Sequence, residues 1–280
     1  MRSPGMANNT FASPECLEDR TTIAVNNALC ICRTLFLLPP SVLILHHAHQ
    51  HWRQQRSFAS ASHSDVFTYH LSVIELLSML GYLFFICGSS VNLPTLSKFG
   101  YFVSSVTVYG ELFFHVLTCV ERYLAVVHPV IYQGLRNARG VKIRNFSVAC
   151  VWLAIICSMC GDLGLNPILL MYKSSWYMLV CLVVILFCSL SVVCALIRPP
   201  PGDFSKHGEK LNQSRRRALY MMLVILGVLC LSLIGFLFGI FLARLLSDNF
   251  CLLMSGIAWL NIPSSLVLPL LYLHRRGRLS

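Results

Sequence analysis

Long runs of apolar residues, separated by short polar stretches, dominate the chain. We find seven such runs, at 24–47, 66–88, 97–127, 145–165, 176–197, 217–243 and 249–273. A helix needs roughly 20 mostly apolar residues to cross the hydrocarbon core of a bilayer. Lipid offers the backbone no hydrogen-bond partner, so spans of this length must be helical. We therefore predict an all-α membrane protein, a seven-transmembrane-helix bundle over residues 24–273.

Composition supports a membrane environment and changes what the cysteines imply. The 280 residues are 56% hydrophobic and only 12% charged, whereas a soluble domain carries about 25% charged residues. We expect membrane lipids to cover the apolar surface. Most of the 13 cysteines lie inside apolar runs, where they act as small buried side chains. No cysteine or histidine spacing indicates a metal site, and no catalytic constellation indicates an enzyme.

The distribution of Lys and Arg predicts the orientation of the chain. Most of the 22 basic residues lie in four stretches, 53–56, 136–144, 198–217 and 275–278. Cytoplasmic loops collect Lys and Arg, so these stretches should face the cytoplasm. We predict an extracellular tail at 1–23 and a short cytoplasmic tail at 274–280. The same bias accounts for the net charge of +11, and no nucleic-acid partner is expected.

Two features of the predicted outer side concern covalent chemistry. Asn8 begins an Asn-Asn-Thr glycosylation motif in the extracellular tail, which predicts a glycoprotein. Two further motifs, at Asn145 and Asn212, fall on the predicted cytoplasmic side and should be unmodified. Cys16 and Cys251 both lie on the oxidising side, so they form either a disulfide or two free thiols.

The third apolar run ends in a distinctive motif. It contains Glu121-Arg122-Tyr123, a short apolar stretch and then His128-Pro129. A carboxylate next to an arginine can pair with it where the dielectric is low, and loss of that pairing would free the arginine for a partner. The segment resembles the rhodopsin-like (class A) G-protein-coupled receptors. The simpler alternative is a Glu-Arg pair at a helix end whose long side chains reach the membrane surface.

The resemblance extends over most of the chain, from about Leu35 to Arg278, and marks a divergent member of the family. Trp152 matches the fourth-helix tryptophan, and the segment from Leu268 to Tyr272 resembles the seventh-helix motif. The resemblance implies a multi-pass receptor in the plasma membrane that transduces an unknown extracellular ligand to a heterotrimeric G protein. The residues that it places at the G-protein-facing end are Glu121, Arg122, Tyr123 and Tyr272.

Several family features are missing from this chain. The sixth run has Ser232-Leu233-Ile234-Gly235 where the family has Cys-Trp-x-Pro, and Leu268 replaces the polar first residue of the seventh-helix motif. The third run also lacks the cysteine that the family ties to its second outer loop. These departures favour an alternative, a non-signalling scavenger or partner subunit of the same fold. A transporter is disfavoured because no internal repeat is visible.

Glu75 and Glu111 lie in the middle of apolar runs, where an ionisable group indicates a functional site. The resemblance places Glu75 where relatives carry the Asp that holds sodium, with Glu111 facing the same cavity. We predict an internal cation or proton site formed by Glu75, Glu111, Ser264 and Ser265, with sodium as the possible ion. Alternatively, each carboxyl is protonated and bonded to its neighbours. Arg33 is expected to extend towards the outer membrane surface, and the alternative is that it faces the cavity of the bundle.

The outer half of the bundle offers candidate ligand-pocket residues, which are Tyr101, Ser104, Ser105, Val108 and Ala258. The resemblance places Ser104 where amine receptors carry an Asp, so an amine ligand is disfavoured. Ordinary helix packing is the alternative explanation for each of these residues. A lipid, a small apolar metabolite and a peptide all remain open as ligands.

Overall fold

A computed structural model of the protein describes residues 20–55, 63–134, 137–162, 167–197, 223–224, 226–239, 241–242, 252, 255–256 and 258–276. Every regular element in these residues is an α-helix. The helices are α1 Arg20–Gln55, α2 His63–Ser90, α3 Pro94–Ser104, α4 Val106–Val127, α5 Pro129–Gly134, α6 Ala138–Asp162, α7 Pro167–Ile197, α8 Leu226–Gly239 and α9 Asn261–Arg276.

Five stretches of the described residues are long and apolar enough to cross a membrane, which confirms an all-α, multi-pass membrane protein. They are Thr21–Arg53, His63–Ser90, Pro94–Val127, Arg139–Gly161 and Tyr172–Ala195. All five coincide with the first five apolar runs of the sequence. The shorter apolar helix α8 lies within the sixth run, and α9 overlaps the seventh. Both of these runs continue outside the described residues, so the number seven stays a prediction.

The third apolar run, predicted as one helix, is divided into α3 and α4 at Ser105. The hydroxyl of Ser105 donates to the carbonyl of Phe102 at 2.7 Å, and that of Ser104 donates to the carbonyl of Tyr101 at 2.8 Å. Side-chain bonds of this kind compete with the regular helical ladder and bend helices. Hydropathy carries no information about such a local break, because both helices remain apolar.

Glycines bring α2 and α3 into close contact. A Cβ added to Gly81 would lie 2.5 Å from the backbone nitrogen of Ser104 and 2.8 Å from the carbonyl oxygen of Gly100. The two helices form a hairpin around Asn92, which adopts a positive φ of 55°. Small residues allow helix backbones to approach closely in membrane proteins. This packing holds the C-terminal half of α2 against α3, at the start of the span formed by α3 and α4.

Helix α4 is the central element of the fold, because it contributes to both large core clusters. One cluster includes Ile74 of α2, Phe114 of α4 and Ile155 of α6. The other joins α4 to α7 and α8 through residues such as Ile185 and Leu229. Several polar side chains carried by α4, such as Thr107, Glu111 and His115, are therefore buried in the interior.

Candidate functional site

Three charged side chains from three helices meet inside the bundle. Arg33 of α1 places its Nη2 atom 3.2 Å from Oε2 and 3.4 Å from Oε1 of Glu75 on α2. The same nitrogen donates to Oε1 of Glu111 on α4. Arg33 is 3% exposed, Glu75 0% and Glu111 7%. One guanidinium thus joins two carboxylates that lie far apart in the sequence.

Helix α9 supplies a fourth member. The hydroxyl of Ser265 donates to Oε1 of Glu111 at 2.7 Å, and it lies 3.4 Å from Nη2 of Arg33. We call Arg33, Glu75, Glu111 and Ser265 the charge cluster. Because its members come from α1, α2, α4 and α9, the cluster ties together four helices that are separated along the chain.

An aromatic ring completes the surroundings of the guanidinium. The Cζ atom of Arg33 lies 5.9 Å from the ring centroid of Tyr82, a distance within the range of cation–π attraction. Tyr82 is on α2, two turns beyond Glu75 on the same helix. Arg33 is therefore held by two carboxylates on one side and an aromatic face on another, which is a setting suited to a permanently charged group.

The charge cluster is unbalanced if both carboxyl groups are ionised, since one positive charge then faces two negative charges. An uncompensated buried charge is costly, and proteins remove the cost by pairing the group or by taking up a proton. The Ser265 hydroxyl supplies a hydrogen bond but no charge. The chemistry of the site therefore requires one further positive charge, either a proton or a small cation.

The face of α4 around Glu111 carries more polar groups. Thr107, Glu111 and His115 follow one another at four-residue intervals, so they line one side of the helix. Among the described residues, the hydroxyl of Thr107 and both ring nitrogens of His115 have no hydrogen-bond partner, although both residues are buried. An unsatisfied buried polar group costs about 1–3 kcal/mol, and such groups usually bind ordered water or a ligand.

The charge cluster contains three of the four residues predicted for the internal site. Glu75, Glu111 and Ser265 lie together, whereas Ser264 bonds to the carbonyl of Asn261 at 2.8 Å and lies 3.4 Å from the hydroxyl of Ser232. The expectation that Arg33 extends towards the membrane surface is wrong. An arginine within an apolar run must find partners, and two mid-span glutamates in the same sequence were the available signal.

The end of α4 that carries the Glu121-Arg122-Tyr123 motif differs from the expected ion pair. Oε1 of Glu121 accepts a hydrogen bond from the hydroxyl of Tyr132 at 3.0 Å, while Nη2 of Arg122 donates to the hydroxyl of Ser64 at 3.1 Å. Neither ion pair of the charge cluster involves this motif. Glu121 and Arg122 thus bond to Tyr132 and Ser64 rather than to each other in this conformation, and their G-protein-facing role stays a prediction. The Tyr123 hydroxyl lies 3.1 Å from Nε2 of His128.

Two other residues that carry the resemblance make contacts between helices. The hydroxyl of Tyr272 lies 3.2 Å from that of Tyr69, and the two rings meet edge to face with centroids 5.8 Å apart. Trp152 donates from Nε1 to Nδ1 of His70 at 3.2 Å. His70 stacks on Phe114 at 5.7 Å, so the tryptophan helps to hold α2, α4 and α6 together.

Three of the candidate ligand-pocket residues make contacts within or between helices in the described part of the chain. Ser104 and Ser105 bond to carbonyls of α3, and Val108 packs against the cluster between α4 and α7. Tyr101 is partly exposed, as is Ala258. A groove of about 370 Å³ lies elsewhere, between α4 and α6, and is lined by Phe113, Leu117, Phe146, Ser147, Cys150, Val151 and Ala154. The ligand pocket stays a prediction.

Some predicted features cannot be placed. Asn8, Cys16 and Cys251 lie outside the described residues. Within the described residues, no group of three His, Cys, Asp or Glu side chains could hold a metal ion.

In comparisons with known proteins, no family model matches the chain, and no curated protein matches it.

Proposed function

We propose that this protein is a seven-helix receptor that transmits the binding of an extracellular ligand to a heterotrimeric G protein. The observation that carries the proposal is the Glu121-Arg122-Tyr123 motif at the end of the central helix α4, followed by His128-Pro129. In the proposed orientation this end of α4 faces the cytoplasm, because the most basic stretches of the chain lie on that side.

The packing of the last two helices supports a bundle of seven. Leu229 and Leu233 of α8 pack against α4 and α7, while Tyr272 of α9 packs beside Ile44 of α1 and Tyr69 of α2. Helices α8 and α9 therefore belong to the same bundle as the five long spans. Together with the apolar runs in which they lie, they provide the sixth and seventh spans of the proposed receptor.

The setting of Arg122 suits a residue that engages a partner. Its side chain is partly exposed, and within the described residues it forms a hydrogen bond with Ser64 rather than an ion pair. A hydrogen bond of this kind contributes only about 0.5–3 kcal/mol. A G protein that offers backbone carbonyls or a carboxylate can therefore compete for the guanidinium, and its binding then favours the receptor state in which Arg122 is released.

A cell assay of G-protein activation tests the proposal directly. Wild type and the Arg122→Ala variant are compared at equal surface expression, without ligand and with extracts that contain candidate ligands. Arg139→Ala is the matched control, because Arg139 is an exposed arginine on the same side of the proposed bundle. We expect Arg122→Ala to lower G-protein activation and Arg139→Ala to leave it unchanged. Equal activity of all three proteins under every stimulus would reject signalling through Arg122.

The second candidate is a non-signalling seven-helix protein that acts as a scavenger or partner subunit. It is favoured by Leu268, which is buried in the core cluster of α2, α4 and α6 where the family has a polar residue. An apolar side chain there contributes packing but no hydrogen bond that could rearrange. Ligand uptake that is the same in wild type and Arg122→Ala cells, without G-protein activation, would support this candidate.

A further inference from the structure

We propose that the charge cluster is a proton-binding site, in which Arg33 takes the place of a bound metal cation and Glu75 and Glu111 share one proton. The ligand is thus a proton rather than sodium. The proposal concerns the interior of the bundle and holds whether or not the protein signals to a G protein.

The position of Arg33 argues against a metal ion. Its Nη2 atom contacts both Glu75 and Glu111, and so it occupies the space between the two carboxyl groups that a sodium ion would need. A sodium ion at the same place would lie against a guanidinium that is itself buried and positively charged. Repulsion between two cations is strong in a low-dielectric interior.

The charge balance argues for a proton. One guanidinium neutralises one carboxylate, and the second carboxyl group is neutral only when it carries a proton. Glu75 and Glu111 both contact the same nitrogen atom, Nη2 of Arg33, so their carboxyl groups are neighbours, and two carboxyl groups can hydrogen-bond to each other only when one of them is protonated. A proton shared in this way leaves the cluster with no net charge, which suits its complete burial.

Polar groups on α4 give the cluster a setting in which a proton can be exchanged. His115 lies one turn from Glu111, is 4% exposed, and has neither ring nitrogen partnered among the described residues. Thr107 lies one turn to the other side of Glu111, with an unpartnered hydroxyl. The His115 ring and the Thr107 hydroxyl can form hydrogen bonds with water that enters the interior.

Other polar groups near the two carboxyls come from α1, α2 and α9. Helix α1 contributes Arg33, which contacts both carboxyls, with Cys30 one turn away on the same helix. Helix α2 contributes Tyr82, whose ring centroid lies 5.9 Å from Cζ of Arg33. Helix α9 contributes the Ser265 hydroxyl. Of these groups, Arg33 alone carries a permanent charge. The net charge of the cluster therefore changes only when Glu75 and Glu111 gain or lose their shared proton.

Infrared difference spectroscopy of the full chain in lipid nanodiscs detects the shared proton. We expect wild type to show the carbonyl band of a protonated carboxyl group at neutral pH, with a shift in D₂O. Glu111→Gln and Glu75→Gln should each lose this band. Glu121→Gln is the matched control, because Glu121 is also buried but lies near the end of α4, and it should keep the band. Absence of the band in wild type, or its persistence in both cluster variants, would overturn the proposal.

Melting temperatures measured in sodium chloride and in choline chloride distinguish a bound proton from a bound sodium ion. We expect wild type to melt at the same temperature in both salts, and Arg33→Gln to be stabilised by sodium, since its two carboxyls then have no resident cation. Sodium stabilisation of wild type equal to that of Arg33→Gln would contradict the proposal. Should Arg33→Gln fail to fold, Arg33→Lys restores a cation: it should melt equally in both salts and keep the infrared band, and sodium stabilisation of Arg33→Lys would count against the proposal.

Discussion

Arg33 and Glu75 form an ion pair at 3.2 Å in the interior of the bundle, although 42 residues separate them in the sequence. A buried ion pair contributes little net stability by itself, because both groups lose their hydration. Loss of Arg33 alone is expensive, since Glu75 and Glu111 are then buried without a cation, whereas loss of Glu75 alone leaves Arg33 paired with Glu111. The pair therefore fixes the arrangement of α1 and α2 more by excluding alternatives than by adding free energy.

Loss of the cation of the cluster should destabilise the protein strongly. We expect Arg33→Met to lower the free energy of unfolding by about 3–5 kcal/mol, because Glu75 and Glu111 are then buried without a positively charged partner. An Arg33→Met, Glu75→Met double variant leaves a single carboxyl group, which is neutral when protonated, and should recover much of that loss. Thermal melting in detergent micelles or nanodiscs provides the comparison. A double variant that is less stable than Arg33→Met would show that the cost is not one of an unpaired charge.

Two adjacent serines allow a closely matched test of the charge cluster. Both hydroxyls lie within hydrogen-bond distance of the carbonyl of Asn261, but that of Ser265 also donates to Glu111, whereas the second partner of Ser264 is the hydroxyl of Ser232. We expect Ser265→Ala to cost about 1.5–3 kcal/mol, as for a hydrogen bond to a charged group, and Ser264→Ala about 0.5–1.5 kcal/mol. Melting temperatures measured side by side decide the point. Equal losses of stability in the two variants would mean that the Ser265–Glu111 bond contributes no more than an ordinary hydrogen bond between neutral groups.

The apolar pattern predicted the spans well because length and hydropathy are local properties of the sequence. All five long spans of the structure coincide with predicted runs. The break at Ser105 was missed, because it depends on side-chain bonds to Tyr101 and Phe102 that leave the apolar pattern unchanged. Helix ends were also imprecise, since α1 continues to Gln55, well beyond the apolar run.

The candidate site was predicted less completely because it depends on which helices are neighbours. Glu75 and Glu111 are expected near each other through the resemblance, but for Arg33, the partner of both, the sequence favours the membrane surface and leaves the bundle cavity only as the alternative. The sequence shows that Arg33 lies in an apolar run, yet the side of α1 that meets α2 and α4 depends on packing across the bundle. The rule that a charged side chain within a span pairs with an opposite charge predicts the contact of Arg33 with Glu75 and Glu111.

Close packing of α2 against α3 should make Gly81 intolerant of a larger side chain. An added Cβ at Gly81 would overlap the backbone of Ser104. We expect Gly81→Ala to destabilise the protein by about 1–3 kcal/mol, as overpacking does. Gly227→Ala is the matched control, since a Cβ at Gly227 meets nothing within 4 Å. Melting temperatures of both variants provide the test, and an unaffected Gly81→Ala would show that the two helices can separate without cost.

The contact between Arg122 and Ser64 leads to a prediction about basal signalling. If the proposed function holds, Ser64→Ala frees the guanidinium for a G protein. We expect basal activity to rise roughly fivefold, since a hydrogen bond of about 1 kcal/mol is lost. Ser90→Ala, at the opposite end of α2, is the control because its hydroxyl bonds only to the carbonyl of Ile86. Basal activity that falls in Ser64→Ala would indicate that the bond stabilises the active state instead.

The proposed orientation can be tested by the use of the glycosylation motifs. The extracellular tail should carry sugar at Asn8, whereas Asn145 is exposed on α6 at the end that faces the cytoplasm in the proposed topology. Because glycosyl transfer occurs in the lumen of the secretory pathway, we expect glycosidase treatment to shift wild type and Asn145→Gln equally on a gel. Asn8→Gln should show no shift. A shift that disappears in Asn145→Gln but remains in Asn8→Gln would invert the topology and place Arg122 outside, where no G protein could reach it.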